Sequence, residues 1–249
     1  SLGAAYGINA ENKNVTIGGN VDMDIAGANG LTAGIISKNA IVVGGNFNVN
    51  IHDTNSPNRI AAVMGNVNDA TLLTIGGLQN NINVEGRGAW VEGFYSGVKL
   101  ADNSVTNITV KNTIGSYWQT HGIYDRNDKG FNLGANAVLN VDVEANGTQL
   151  GNNGGSEGVF GLLLTTEEGT ESVAQAGSQL KVVVEGAGVS DTGLLGSIGI
   201  SGSLKAAGDV RVEVKSENGI GLRAISAGDH SEYTGDVIVK TNNLSLIHI

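Results

Sequence analysis

A small residue followed by an apolar one returns eight times along this chain, as Gly7-Ile8, Gly34-Ile35, Ala62-Val63, Gly93-Phe94, Gly122-Ile123, Gly158-Val159, Gly193-Leu194 and Gly219-Ile220. The apolar members lie 26 to 36 residues apart. A stretch of apolar/polar alternation follows each pair: Val21/Met23/Ile25, Phe47/Val49/Ile51, Ile82/Val84, Ile108/Val110, Leu139/Val141/Val143, Leu180/Val182/Val184, Val210/Val212/Val214 and Val237/Val239. Two marks that keep one order through repeats of this length belong to a chain that winds the same unit again and again. The first three repeats add a third apolar run closed by two glycines, Ile17-Gly18-Gly19, Val43-Gly44-Gly45 and Ile75-Gly76-Gly77. No helical periodicity between them runs long enough for a crossover helix.

Each repeat therefore reads as three short strands joined by Gly/Asn corners, which is one coil of an all-β parallel solenoid of about eight coils. Inward residues of successive coils stack into one core and polar residues alternate outward, as in Val21-Asp22-Met23-Asp24-Ile25. An antiparallel sandwich also has regular short strands, but it does not usually repeat one apolar pattern at this spacing. Eight coils make a rod of about 38 Å. The 39 glycines are expected at corners, where a positive φ carries no steric cost. Two irregular segments, Ala145 to Glu157 and Thr165 to Gln175, are expected to leave the rod as loops, where binding tends to live.

Charge and composition exclude several functions. With 14 basic against 24 acidic residues and a net charge of -10, the chain is ill suited to grip a phosphate backbone, so nucleic acid is not expected as a partner. Its 40% hydrophobic content is too high for a disordered chain, and no apolar run approaches the ~18 residues of a membrane helix. The absence of Cys removes disulfides, thiolate zinc sites and thiol nucleophiles.

Glycine-apolar pairs, Gly/Asn corners and Val-x-Val-x-Val strands, as in Asn218-Gly219-Ile220-Gly221-Leu222 and Gly235-Asp236-Val237-Ile238-Val239, resemble the passenger domains of bacterial autotransporters. The resemblance implies a right-handed parallel β-helix displayed on the bacterial cell surface or released outside the cell, acting as an adhesin or presenting stalk. It also implies a translocator barrel in the outer membrane and, as partner, a host or neighbouring-cell glycan or protein. The lack of Cys is consistent with export of an unfolded chain. The last six residues, Leu244-Ser245-Leu246-Ile247-His248-Ile249, resemble a translated sequencing adaptor. Residues 1–243 are thus expected to form a single solenoid fragment open at both ends, with 244–249 a non-biological tail.

The aromatics gather in two adjacent repeats. Trp90 precedes Trp118 by 28 residues and Tyr95 precedes Tyr124 by 29, close to the local period, so each pair is expected to stack from one coil to the next. If Phe94 and Ile123 point inward, Tyr95 and Tyr124 point outward as a ledge for a sugar ring or a partner side chain. The same spacing also suits a structural aromatic ladder. With Tyr117, His121, Asp125 and Arg126 beside them, these residues are the candidate ligand-binding set.

Chemistry beyond binding finds little support in the sequence. A β-helical polysaccharide lyase, hydrolase or phage tailspike is the alternative, and would draw on Asp102, Asp125, Arg126 and Asp128, with paired carboxylates or a basic residue beside bound calcium. Those charges suit solvated loops as well. Gly154-Gly155-Ser156-Glu157-Gly158 matches the nucleophile-elbow pattern but lacks its strand-to-helix setting. Gly219-x-Gly221-x-x-Ala224 lacks the helix a dinucleotide phosphate would meet. No catalytic residue, metal or cofactor is expected, and the chain reads as a non-enzyme.

Overall fold

The computed structural model describes residues 3–65, 71–113, 119–125, 129–145, 158–165, 170, 172–186, 196–216 and 222–243. Of the expected inserts Ala145 to Glu157 and Thr165 to Gln175, residues 146–157, 166–169 and 171 lie outside them, as do the pairs Gly193-Leu194 and Gly219-Ile220, most of the Gly154–Gly158 motif and the tail 244–249; within the second expected insert, Val173–Ala174 is not loop but a strand with parallel partners on both sides. The described residues form strands and turns, and every strand pairing is parallel. The chain is a β-solenoid, as the repeat demands.

Three faces build it. The first carries the small-apolar pairs and includes Ala5–Glu11, Thr32–Ser37, Gln119–Tyr124, Gly158–Leu163, Ser197–Gly202 and Arg223–Ala227. The second is a narrow eight-stranded sheet that starts at Val15–Ile17 and ends at Glu232–Tyr233. The third holds the alternating runs, among them Val21–Ala26, Val105–Asn112, Val138–Ala145, Gln179–Gly186 and Asp209–Ser216. Two long strands, Phe47–Met64 and Gln79–Tyr95, run from the third face onto the first, so those two faces join into one 14-stranded sheet. The turn in the first of them falls at Asp53, whose φ of 52° is left-handed, and the pairing register shifts on either side of residues 54–56.

Alternation on the third face is regular because the strand period is two. Met23, Val49, Ile82, Ile108, Val141, Val182 and Val212 make one inward column through successive pairings. Asn80 faces inward too, and is satisfied there: its Oδ1 accepts the Phe47 amide at 3.0 Å and its Nδ2 donates to the Thr106 hydroxyl at 3.0 Å. On the outside, two polar columns form amide ladders. Asn48, Asn81, Asn107 and Asn140 each donate to the side-chain oxygen one rung earlier, at 2.7, 3.4, 3.1 and 2.9 Å, beginning on Asp22. Asn83 donates to Asn50 and Asn50 to Asp24 in the second column, at 2.7 and 2.8 Å.

Glycine has a role in the core that the sequence reading assigned to corners. Corners do use it: the Gly-Gly pairs close the strands of the second face, and one turn column passes through Asn103, Asn136 and Gly177, all at positive φ. The glycines of the small-apolar pairs, however, sit inside strands of the first face. A β-carbon on Gly122, Gly161 or Gly199 would strike the γ-methyl of Val141, Val182 or Val212 on the third face and a main-chain oxygen one rung on. The absent side chain is what lets the two faces close on one another.

Pairing also moves three of the marks. Ile123 pairs with Leu162, Leu162 with Ile200, and Ile200 with Ile225. The small-apolar pairs of the last three rungs are therefore Gly161-Leu162, Gly199-Ile200 and Ala224-Ile225, not those starting at Gly158, Gly193 and Gly219. The segment Gly158-Val159-Phe160-Gly161-Leu162 offers two glycines in the same local pattern, and contact with the facing valines decides between them.

Gly161→Ala is expected to cost about 1–3 kcal/mol in urea denaturation, the range for overpacking a filled core. Gly18→Ala, where a β-carbon meets nothing within 4 Å, is expected to change stability by less than about 0.5 kcal/mol.

Candidate functional site

Two consecutive inward residues at each small-apolar pair break the strand alternation and set which side chains leave the core. Val91, Gly93 and Phe94 turn inward, so Glu92 and Tyr95 turn out. Strict alternation from Val91 would send Phe94 out and Tyr95 in; the Gly93-Phe94 pair reverses both. One rung on, Ile123 joins the main core while His121 and Tyr124 turn out. Outward here does not mean exposed. Ala33, Ala61, Met64 and Tyr95 form a second apolar cluster outside the first face, with Tyr6, Leu31, Ile36 and Tyr124 packed against it.

A polar network lies in the same layer. Arg59, delivered by the end of the bend in Phe47–Met64, places Nε 2.9 Å from Glu92 Oε2. Glu92 Oε1 lies 3.4 Å from His121 Nδ1, an electrostatic contact that is long for a strong hydrogen bond. Glu92 and His121 are both 0% exposed. The imidazole packs against the rings of Tyr124, at 4.4 Å, and Phe160, at 5.2 Å. The Arg59 guanidinium lies 3.8 Å over the Tyr95 ring and 5.3 Å from that of Trp90. Burial holds the His121 pKa below its ordinary value; the contact with Glu92 opposes that shift, and the Arg59 charge reinforces it. The Tyr95 hydroxyl and His121 Nε2 are buried with no hydrogen-bond partner among the described residues.

The expected ledge is corrected here. Tyr95 does turn away from the main core, but it is only 2% exposed and is roofed by Arg59. Tyr124 is half-buried and meets Tyr95 edge to face at 5.3 Å, so the pair is a ladder between rungs. Trp90 is half-buried and pairs in register with Arg59 on one side and Gln119 on the other. Tyr117, Trp118, Arg126 and Asp128 lie outside the described residues.

Asp125 is not a solvated loop charge either. It is buried, and its carboxylate accepts the Lys129 amide at 3.2 Å and the Gly130 amide at 2.8 Å, bracing the turn that leads into Phe131–Leu133. Asp102 accepts the Ala135 amide at 2.9 Å in a similar manner. Among the described residues no group of three or more His, Asp or Glu gathers to hold a metal ion.

Arg59 and Glu92 are the residues that sequence reading missed. A signal existed: Glu92 is the one charged residue in Ala89-Trp90-Val91-Glu92-Gly93-Phe94-Tyr95, and it precedes His121 by the same 29 residues that separate Tyr95 from Tyr124. On the third face a shallow groove runs between the amide columns, lined by Asp22, Asp24, Asn48, Asn50, Asn81 and Asn83. His52 sits at its margin, 2.8 Å from Asp53 and 3.2 Å from Asp24, and its hydrogen bond with Asp53 raises its pKa. No known protein family, curated protein or solved structure matches the chain.

His121 gives the fold a pH dependence with a definite sign. Its folded pKa lies below the ordinary 6.5, so below about that pH the unfolded chain binds a proton that the folded chain does not, and stability falls as pH falls. Urea midpoints measured between pH 7 and pH 5 are expected to drop more steeply for the wild type than for His121→Phe. Parallel curves would show that the ring does not report on this window.

Proposed function

We propose that this chain is a non-catalytic, surface-displayed rod acting in adhesion or presentation, of the kind carried as an autotransporter passenger. The observation that carries the reading is the use made of Asp102 and Asp125, the described carboxylates a sugar-cleaving site would draw on, and of Glu92. Asp125 and Asp102 accept main-chain N–H groups of turns, and Glu92 is enclosed against Arg59. These groups brace the rod, whereas a polysaccharide-cleaving site needs carboxylates free to meet a sugar in an open cleft.

A solenoid also suits this role mechanically. Its rungs repeat the same outward positions at about 4.8 Å, so a weak contact at one rung is offered again at the next, and several together bind more tightly through effective concentration. The amide columns of the third face are the most regular of these surfaces. In this reading the protein works at a bacterial cell surface or outside the cell, attached through a translocator barrel in the outer membrane, and its partner is a glycan or protein of a host or neighbouring cell.

The test is a binding and turnover measurement on the purified chain. Beads coated with it are expected to adhere saturably to cells or to an immobilised glycan panel, with no new reducing ends or unsaturated products from soluble polysaccharides. Depolymerisation that disappears in Asp125→Asn would reject the non-catalytic reading, and failure to adhere to any cell or glycan surface would reject adhesion.

A further inference from the structure

We propose that the amide columns of the third face form a binding surface for a neutral, extended polysaccharide chain laid along the rod; this deepens the adhesive reading and rests on it for its biological setting. Outward positions two residues apart repeat from rung to rung, as Asp22 and Asp24, Asn48 and Asn50, Asn81 and Asn83, and these side chains line the groove of this face. Pairing carries the columns on through Asn107 and Thr109 to Asn140 and Asp142, and they end where Lys181 and Val183 take the same positions. The amides are already fixed. Asn48 and Asn81 each donate one rung back and accept from one rung on, and Asn50 does the same between Asp24 and Asn83. Asp24 is held from its other side by His52 Nε2 at 3.2 Å.

A carboxamide carries two N–H groups and an oxygen with two lone pairs, and the ladder uses one of each. Exposed Asn81 and half-buried Asn48 and Asn50 therefore keep one donor and one acceptor apiece for a ligand. A hydroxyl offers both functions in return, whereas a carboxylate only accepts and an ammonium only donates. An anionic chain would also meet Asp22, Asp24 and a net charge of -10. Because each amide is held by its neighbours, it has little rotamer freedom left to lose on binding. From Asp22 to Asp142 no column residue is aromatic or aliphatic, so the face lacks the anchors that a protein partner uses. Spacing then chooses among neutral polymers. Rungs lie about 4.8 Å apart, and the two columns, separated by two residues of strand rise, about 6.6 Å apart. An extended β-linked pyranose chain advances close to one rung per sugar and carries equatorial hydroxyls along both edges, so successive sugars meet successive rungs of both columns. An α-linked chain of the same sugar coils, and leaves the face after the first contacts.

Calorimetric titration of the whole chain with cellohexaose, cellotriose and maltohexaose tests the surface. Saturable binding of cellohexaose is expected, with cellotriose, which spans fewer rungs, and α-linked maltohexaose each at least about tenfold weaker, or about 1.4 kcal/mol. Asn81→Val breaks one column at its middle while keeping a side chain suited to a strand, and is expected to weaken cellohexaose by a similar factor, its folding checked by circular dichroism. Comparison of the two hexaoses needs no variant and stands even if Asn81→Val fails to fold. Equal binding of the α- and β-linked hexaoses, undiminished binding by a folded Asn81→Val, or no binding of cellohexaose would overturn the proposal. A hexamer of glucosamine that binds while cellohexaose does not would show attraction to Asp22 and Asp24 alone and would overturn it too. If coated beads adhere to cells equally well with Asn81→Val and in excess cellohexaose, the amide surface falls and the adhesive reading stands. If cellohexaose binds as expected but the beads adhere to nothing, the reverse holds.

Discussion

The close approach of the first and third faces is the constraint on which the rest of this solenoid depends. Gly7, Gly34, Gly93, Gly122, Gly161 and Gly199 stack in one column, with alanines at Ala62 and Ala224, and opposite the glycines Met23, Val49, Ile108, Val141, Val182 and Val212 occupy the space a β-carbon would need. Packed cores tolerate little added volume. The column therefore sets the separation of the faces along the rod, and through it the register of the apolar ladders on both sides. The same residues break the strand alternation, because a glycine and its apolar neighbour both turn inward. A core requirement thus determines what stands on the outside of the first face.

What stands there is unusual for the surface of a rod. The paired positions that run Ala33, Ala61, Glu92, His121, Phe160 and Ile198 are all buried. In that layer an enclosed carboxylate needs a partner, since an unpaired buried charge is far more costly than a paired one. Arg59 supplies the partner, and the stacked rings of Tyr95, Tyr124 and Phe160 surround the pair and the histidine. The third face solves its outer surface in a different way, with neutral amides that hydrogen-bond up the rod and leave it open to solvent. One fold carries two outer surfaces of different chemistry, one enclosed and aromatic, the other flat and polar.

Much of the architecture was legible in the chain. Strand alternation has a period of two and needs no knowledge of neighbours, so the third face could be read residue by residue, from Val21/Met23/Ile25 to Val210/Val212/Val214. The small-apolar pairs were legible as a repeat, but their physical role was not. Nothing local distinguishes a glycine that turns a corner, such as Gly177, from one that admits a valine across the core, such as Gly161. Three pairs were placed on the wrong glycine for the same reason. The aromatic cluster was legible as a cluster, and the outward direction of Tyr95 followed from Phe94, yet its burial depends on Arg59, which lies a rung away and reaches it only because the chain bends at Asp53.

By itself the sequence determined that the chain winds, where its alternating strands lie, and that its charge is unsuited to a nucleic acid. These follow from periodicity and composition, which are properties of neighbours along the chain. Tertiary structure alone decided which glycines pack, that Tyr95 is enclosed, that Asp125 braces a turn, and that Arg59, Glu92 and His121 meet. Each of those depends on which residues of successive coils fall side by side, and that register is set by the fit of whole faces against one another, a property no single repeat contains.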